Sequence, residues 1–243
     1  MNAELLELTV TAARAGAACC LDGLDGGLQV QTKGAAGDLV TQVDRAAETV
    51  VRQVISQARP HDAILGEELA SRPGSSGLQW VIDPLDGTTN FTRRLPFFAT
   101  SVAVRGAQGE WLAGAVSAPL LGSTWCAARG GGAHLETATG RRPLPLALPG
   151  TTARLLGTGL SYDLDRRRGQ IGRLPTLLDG YTDMRRFGAA AIDLCLVAQG
   201  SLDAFVEDDL AIHDWAAGAL IAEESGARVH RPTADDPTVS AVR

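Results

Sequence analysis

The sequence predicts a layered fold that mixes α-helices with β-strands, of the α/β or α+β class. Three patterns indicate it. Apolar residues recur at helical spacing near the start, apolar runs joined by glycine-bearing turns follow in the middle, and strand-like and helix-like segments alternate after residue 149. The length of 243 residues and the 45% hydrophobic content are ordinary for a globular protein with a substantial core.

The first half of the chain predicts two helices followed by a series of strands. Apolar residues from Leu5 to Ala17 favour an opening amphipathic helix, which the glycine-rich stretch 23–27 ends. A second helix runs up to Pro60, and Thr41 with Asp44 forms a candidate capping pair at its start. Short buried strands are predicted at 63–66 and 80–82, and an antiparallel meander over 98–104, 111–117 and 124–128.

The second half predicts alternating strands and helices. We expect strands at 154–157, 202–206 and 227–230, and helices at 165–178, 189–198 and 214–225. The strand at 227–230 is predicted to be the last one, followed by a polar, exposed tail over 231–237.

Charge and cysteine content favour a cytoplasmic protein without a nucleic-acid surface. The chain has 22 Lys+Arg against 28 Asp+Glu, a net charge of −6, whereas phosphate backbones require basic patches. Glu4 and Glu7 stand where a signal peptide would be positive, and no apolar run reaches the ~20 residues that span a membrane. Four cysteines without a CxxC pattern are typical of reduced thiols: Cys19, Cys20, Cys126 and Cys195.

Acidic residues cluster at the ends of three apolar segments. The clusters are Glu67–Glu68, the run DPLDGTTN at 83–90, and DWAAG at 214–218. Carboxylates that converge from strand ends form the oxygen cage that hard divalent cations need, and Pro84 forces a turn that can aim two of them at one centre. The following segment 87–89 offers successive backbone N–H groups for a phosphate or another anion. The combination predicts a metal-assisted phosphoryl site.

Each acidic cluster also has a simpler structural interpretation. Glu67–Glu68 could be a solvated turn, the DxxDG pattern an Asx-turn, Asp214 a helix N-cap, and Asp44 only the partner of Thr41 in a capping pair. The occurrence of all clusters directly after buried segments favours the functional interpretation.

The motifs resemble those of the inositol monophosphatase family of magnesium-dependent, lithium-sensitive sugar and polyol phosphatases. The segments that carry the resemblance are LGEE at 65–68, WVIDPLDGTTNF at 80–91, IHDWAAG at 212–218, KGAAGDLVTQVD at 33–44 and RRFGAAAIDLCLVAQGSLDAFVE at 185–207. The resemblance extends from about residue 30 to about 228. It implies one domain over 1–243 that folds as an α-β-α-β-α five-layer sandwich, with a metal- and phosphate-binding half at 1–150 and a substrate-side half at 151–243. It also implies a homodimer.

The resemblance implies a role for each matching residue. Glu67, Asp83 and the Leu85 carbonyl would hold a first Mg²⁺; Asp83, Asp86 and Asp214 would hold a second. A third, weaker ion would lie near Glu67, with Asp44 reached through water, and Mn²⁺ would also suit these oxygen ligands. Thr88 paired with Asp44 would activate the attacking water. The expected contacts to the phosphate and to the polyol are Asp86, Gly87, Thr88, Ala189, Ala190 and Glu207.

The implied function is hydrolysis of a small phosphate monoester, with inositol monophosphate as the leading substrate. Phosphatases of histidinol phosphate, fructose 1,6-bisphosphate or adenosine 3′,5′-bisphosphate on the same fold are the alternatives, followed by a non-catalytic regulatory relative.

The sequence departs from the family at His213, where an aromatic residue is usual; we interpret this as a local repacking, with a hydrogen bond to a metal ligand as the alternative. Lys33, the only lysine, aligns with a family lysine, and the segment after residue 227 is shorter than usual.

Overall fold

A computed structural model of the chain describes residues 2–24, 30–32, 39–150 and 152–243, with backbone alone for 30–32 and 39–41. Six α-helices lie in these ranges: α1 (Asn2–Gly23), α2 (Gln42–Ala58), α3 (Thr88–Thr92), α4 (Leu164–Leu177), α5 (Ala190–Gln199) and α6 (Ile212–Glu224). The strands there are β1 (Val30–Thr32), β2 (Leu39–Thr41), β3 (Ala63–Gly66), β4 (Gln79–Asp86), β5 (Ala99–Arg105), β6 (Trp111–Ala118), β7 (Ser123–Ala128), β8 (Ala133–Thr137), β9 (Gly140–Pro143), β10 (Leu155–Thr158), β11 (Asp183–Arg185), β12 (Ala204–Asp208), β13 (Arg228–His230) and β14 (Thr238–Val242).

Two large sheets organise the molecule. The first has seven strands in chain order from β3 to β9, in which β3 runs parallel to β4 and all later neighbours are antiparallel. The second has five strands in the order β11-β10-β12-β14-β13, parallel around β10 and antiparallel around β14. The short strands β1 and β2 form a separate antiparallel pair.

Helices alternate with these sheets in five layers. The helices α1 and α2 pack on one face of the seven-stranded sheet, and α5 and α6 fill the space between the two sheets. The helix α4 covers the outer face of the second sheet, where Leu174 and Leu177 face Thr158 and Val206. The predicted α-β-α-β-α sandwich is therefore confirmed. None of the described helices combines the length and the apolar character needed to cross a membrane.

Strand β4 shows how the alternation of side chains aims the acidic residues. Trp80 and Ile82 point to the cluster formed with α1 and α2, whereas Val81 points to the cluster formed with α5 and α6. Side chains alternate along a strand, so Asp83 continues the Val81 side and projects between the sheets. The packing of β4 in the core therefore fixes the Asp83 carboxylate at the edge of the layer formed by α5 and α6.

Most predicted elements occur within two residues of their expected ends, but one prediction was wrong. The strand at 227–230 is not the last, because β14 follows the polar segment 231–237 and inserts between β12 and β13. The insertion buries Val239 and Ala241 completely. In β14 polar and apolar residues alternate over the first four of only five positions. The segment therefore lacks the continuous apolar run by which the sequence identified the other buried strands.

Candidate active site

A cavity of about 360 Å³ opens between the two sheets and collects the predicted site residues. Asp44 lies behind the cavity wall rather than on it. The predicted residues on the wall are Glu67, Asp83, Leu85, Asp86, Gly87, Thr88, Ala189, Ala190, Glu207 and Asp214. Three separate acidic clusters and the substrate-side segment therefore meet at one place.

The turn at the end of β4 fixes the first two carboxylates. The pairing of β4 with β5 shifts between Asp83 and Asp86, which is a β-bulge. Asp83 Oδ1 accepts a hydrogen bond from the Leu85 N–H at 3.0 Å, so the Asx-turn interpretation and the site interpretation both apply to this residue. Gly87 then adopts φ +86°, and a Cβ there would lie 2.7 Å from the Phe97 carbonyl oxygen. Only glycine suits this position.

Two hydrogen-bonded links join this turn to helix α5. Asp86 Oδ2 accepts from the Ala191 N–H at 2.8 Å. Asn90 Nδ2 donates to the Phe97 and Phe187 carbonyls, both at 2.7 Å, and so ties the loop to the segment that leads into α5. The phosphate-side turn and the substrate-side helix are thereby held in one arrangement. Sequence reasoning assigned no role to Asn90.

Thr88 connects the cavity to the buried carboxylate of Asp44. The Thr88 hydroxyl lies 3.2 Å from Asp44 Oδ1 and 3.1 Å from the Leu85 carbonyl oxygen, and its single proton can go to either acceptor. Asp44 is 1% exposed on the first turn of α2. A hydroxyl on the cavity wall backed by a buried carboxylate can pass a proton inward.

Glu67 is positioned by a neighbour that the sequence did not reveal. The side chain of Glu48 is completely buried, and its Oε2 accepts from the Glu68 N–H at 2.7 Å and from the Leu69 N–H at 3.3 Å. Its Oε1 accepts from Arg52 Nε at 2.7 Å. This carboxylate lies directly against Gly66, so it holds the backbone on both sides of Glu67.

Asp214 accepts a capping hydrogen bond at the start of α6 and also lines the cavity. Its Oδ2 accepts from the Ala211 N–H at 2.7 Å, as a capping residue does, while the residue also lines the cavity wall. His213, one residue earlier, lines the same wall, and its Nε2 lies 3.6 Å from Asp214 Oδ1 and 3.9 Å from Glu67 Oε2. The interpretation of His213 as a local repacking, with a hydrogen bond to a metal ligand as the alternative, stays a prediction, and both distances are longer than a hydrogen bond.

The wall opposite the β4 turn carries a mixture of polar groups. Glu207 projects from β12, and Arg186 lines the wall before α5. The Tyr162 hydroxyl lies 3.0 Å from Thr89 Oγ1, which brings the loop after β10 against the β4 turn. Asp193 is 1% exposed behind this wall, and among the described residues its Oδ1 has no hydrogen-bond partner. Tyr162 lies outside the quoted motifs, and Asp193, although it lies in the segment 185–207, was assigned no role from the sequence.

Burial and mutual repulsion raise the pKa of the central carboxyls. Burial first, and then the negative charges of Glu67, Asp86 and Asp214, raise the pKa of Asp83 well above its usual range. Burial and the charge of Asp214 do the same for Asp86. Burial followed by the charge of Asp214 raises the pKa of Glu207 to about 7. Among the described residues that line the cavity, Arg186 is the one Arg or Lys, so carboxylates outnumber the positive side chains there.

The residues present fit divalent cations by their chemistry. The donors are carboxylates and one backbone carbonyl, all hard oxygens, with the two most buried carboxylates facing other carboxylates. Positive charge at this place would offset the burial and the repulsion that together raise the pKa of Asp83 and Asp86. Within the described ranges, no three His, Cys, Asp or Glu side chains already surround one point at ligand distance. The side chains would therefore have to turn inward to share an ion.

Solved structures with the same fold define the class of the protein. The chain superposes on the extragenic suppressor protein SuhB of Bartonella henselae with a TM-score of 0.89 and 32% identity, over 99% of this chain and 94% of that one. It superposes on an inositol monophosphatase (IMPase) of Thermotoga maritima with a TM-score of 0.82 and 26% identity, over 98% and 92% of the two chains. Fold and acidic cavity together place the chain among the phosphatases.

Sequence comparison identifies the family. The model of the inositol monophosphatase family matches residues 1–243, so the chain belongs to that family. It is 42% identical over 222 residues to an inositol-1-monophosphatase of Mycobacterium leprae, which covers 88% of this chain and 76% of the relative. It is also 40% identical over 191 residues to the Nus factor SuhB of Escherichia coli, covering 78% and 70%. The predicted resemblance is confirmed.

Part of the predicted site lies outside the described residues. Lys33 and the rest of the segment 33–38 belong to this part, as does the side chain of Thr41, so the role of Lys33 and the Thr41 capping pair stay predictions. The roles assigned to the residues on the cavity wall also stay predictions, although their common location is what those roles require.

Proposed function

We propose that the protein is a divalent-cation-dependent phosphatase that hydrolyses inositol monophosphate to inositol and phosphate. The observation that carries this proposal is the Thr88–Asp44 contact of 3.2 Å on the wall of the acidic cavity. Family membership supports the phosphatase class, and the intact set of acidic residues argues against a non-catalytic relative.

The chain supplies a route for the proton of the attacking water. When the Thr88 hydroxyl donates to Asp44, its oxygen can accept a hydrogen bond from water in the cavity. As the water oxygen attacks phosphorus, its proton goes to Thr88 and the Thr88 proton goes to Asp44. The P–O ester bond breaks, and the leaving alkoxide takes a proton from solvent. Neither Ser nor Cys is needed as a nucleophile for an in-line displacement of this kind.

The carboxylates would hold the cations that this reaction needs. Glu67, Asp83 and the Leu85 carbonyl would bind one ion, and Asp86 and Asp214 would bind a second that Asp83 shares. Bound Mg²⁺ or Mn²⁺ supplies charge neutralisation for the phosphate, a lower pKa for water and stabilisation of the leaving oxygen. The backbone of Gly87 and Thr88 lies on the same wall and would orient the phosphate.

The substrate side of the cavity suits a polyol. Glu207 and the residues Ala189 and Ala190 line the cavity and would meet hydroxyl groups on the leaving group. Carboxylates and carbonyls accept hydrogen bonds from hydroxyls, so several such acceptors favour a substrate with several donors. Inositol monophosphate meets this requirement.

A substrate panel with cation control tests the proposal. The purified protein should release phosphate from inositol 1-phosphate with Mg²⁺, should lose this activity in EDTA, and should be inhibited by LiCl. The panel adds histidinol phosphate, fructose 1,6-bisphosphate and adenosine 3′,5′-bisphosphate. A higher kcat/KM for one of these three would reassign the substrate, and absence of phosphate release from all four would refute the enzymatic proposal.

A further inference from the structure

The imidazole of His213 occupies a place where a metal ligand could stand. His213 lies on the first turn of α6 and its side chain is 17% exposed, on the wall of the cavity. Its carbonyl oxygen accepts a hydrogen bond of 3.5 Å from Ser101 Oγ, and Ser101 pairs with Asp83 across the sheet. The backbone of His213 is thereby anchored beside the residue expected to bridge the cations.

Each distance from His213 Nε2 to a carboxylate, taken as a pair, is compatible with an ion between the two groups. Two donor atoms that each lie about 2.1 Å from one ion are at most about 4.2 Å apart. Nε2 lies 3.6 Å from Asp214 Oδ1 and 3.9 Å from Glu67 Oε2, both within that limit. Both distances exceed the length of a hydrogen bond, and the described residues offer the ring of His213 no hydrogen-bond partner. The ring therefore points at two carboxylates without bonding to either.

A nitrogen ligand changes which cation a carboxylate site prefers. Mg²⁺ binds oxygen donors and keeps much of its water, whereas imidazole favours first-row transition dications. We propose that His213 Nε2 is a ligand of one cation at the Glu67–Asp214 end of the cavity, which makes this end prefer a transition dication over Mg²⁺. The inference rests on the proposed function, because it requires that the cavity holds divalent cations.

Electron paramagnetic resonance of bound Mn²⁺ tests this ligand directly. The probe is MnCl₂ added to the cation-free full-length protein, with electron spin echo envelope modulation to detect a directly bound ¹⁴N nucleus. The variants are His213→Phe, which removes the nitrogen, and His213→Gln, which keeps a polar side chain of intermediate size. The matched control is His230→Phe, because His230 also faces a carboxylate, at 3.1 Å from Asp236, outside the cavity wall.

The expected result is an imidazole ¹⁴N signal in the wild type and in His230→Phe that both His213 variants lack. The preference for Mn²⁺ over Mg²⁺, measured by competition, should fall about tenfold in His213→Phe. This is the lower end of the roughly 10–100-fold loss of metal affinity seen when the groups around a bound metal are changed. Mn²⁺ bound to the wild type without a ¹⁴N signal would overturn the inference and leave the proposed function standing. Absence of bound Mn²⁺ in the wild type would overturn both.

Discussion

The substitution Gly66→Ala tests how the protein positions Glu67. A Cβ at residue 66 would lie 1.9 Å from Glu48 Oε1 and 2.4 Å from Glu48 Cδ, so the buried carboxylate would have to leave its place. Leaving breaks its hydrogen bonds with the N–H groups of Glu68 and Leu69 and its contact with Arg52. The Glu48 carboxylate is completely buried, so the pocket has no space for both this carboxylate and the new methyl group at residue 66.

The loss of these bonds sets the size of the effect. Hydrogen bonds to a charged group contribute about 1.5–3 kcal/mol each, so the two amide bonds alone predict a loss of about 3 kcal/mol or more. For a chain of this length, that loss corresponds to a fall in Tm of about 6–12 °C. The response of Tm to Mg²⁺ should also weaken, because the backbone that carries Glu67 is no longer fixed.

A double-mutant cycle with differential scanning calorimetry provides the assay. Glu48→Ala should lower Tm to a similar extent. The double variant should be no less stable than the less stable single variant, because both changes remove the same hydrogen bonds from the Glu68 and Leu69 N–H groups to Glu48. Gly172→Ala is the matched control, since a Cβ there meets no atom within 4 Å. The reasoning is refuted if Gly66→Ala stays within about 0.5 kcal/mol of the wild type, or if the effects of the two substitutions add.

Three further predictions concern the proton route, the loop link and the acidic charge. Thr88→Ala should reduce kcat about 100-fold or more while the Kd for Mg²⁺ stays unchanged, and an effect on KM alone would contradict the proton route. Asn90→Ala should lower the free energy of unfolding by about 2 kcal/mol or more in chemical denaturation, because two part-buried carbonyls lose their donor; Asn90→Asp, which cannot donate, should be no more stable than Asn90→Ala. In EDTA, Tm should fall as pH rises from about 4.5 to about 7, because the folded chain keeps a proton on Glu207 that the unfolded chain releases. The raised pKa of Asp83 and Asp86 acts in the same direction, so a Tm that rises over this range would show that the carboxyls are not buried together.

The sequence was most informative where periodicity and turn chemistry agreed. The continuous apolar run at 80–82 and Pro84 after it predicted a buried strand that ends in carboxylates, and the structure has this strand with a shift in pairing at the acidic turn. Each of the clusters at 67–68, 83–90 and 214–218 contributes at least one carboxylate to the wall of one cavity. Local pattern sufficed here because each carboxylate directly follows an apolar segment whose place in the core is fixed.

What the sequence could not predict depends on contacts between distant segments. Glu48 reads as an ordinary polar residue of a helix, and only the fold brings its carboxylate 2.7 Å from the Glu68 N–H. Asn90 is similar, since Phe187 lies 97 positions away along the chain. The strand β14 was missed because its pairing partners, β12 and β13, decide its burial. The approach of His213 to Glu67 could not be predicted either, because Glu67 follows a strand from another part of the chain.

The substitution Asp83→Asn, measured by the response of Tm to Mg²⁺, tests the central claim most directly, because Asp83 is the residue expected to bridge two cations. Binding to the folded state at a concentration about 100 times Kd stabilises a protein by about 2.7 kcal/mol per site. The wild type should therefore gain about 5–10 °C in Tm with saturating Mg²⁺. Asp83→Asn should fold, lose most of this gain and lose phosphate release. An unchanged Mg²⁺ response in Asp83→Asn would show that the cations bind elsewhere and would contradict the account.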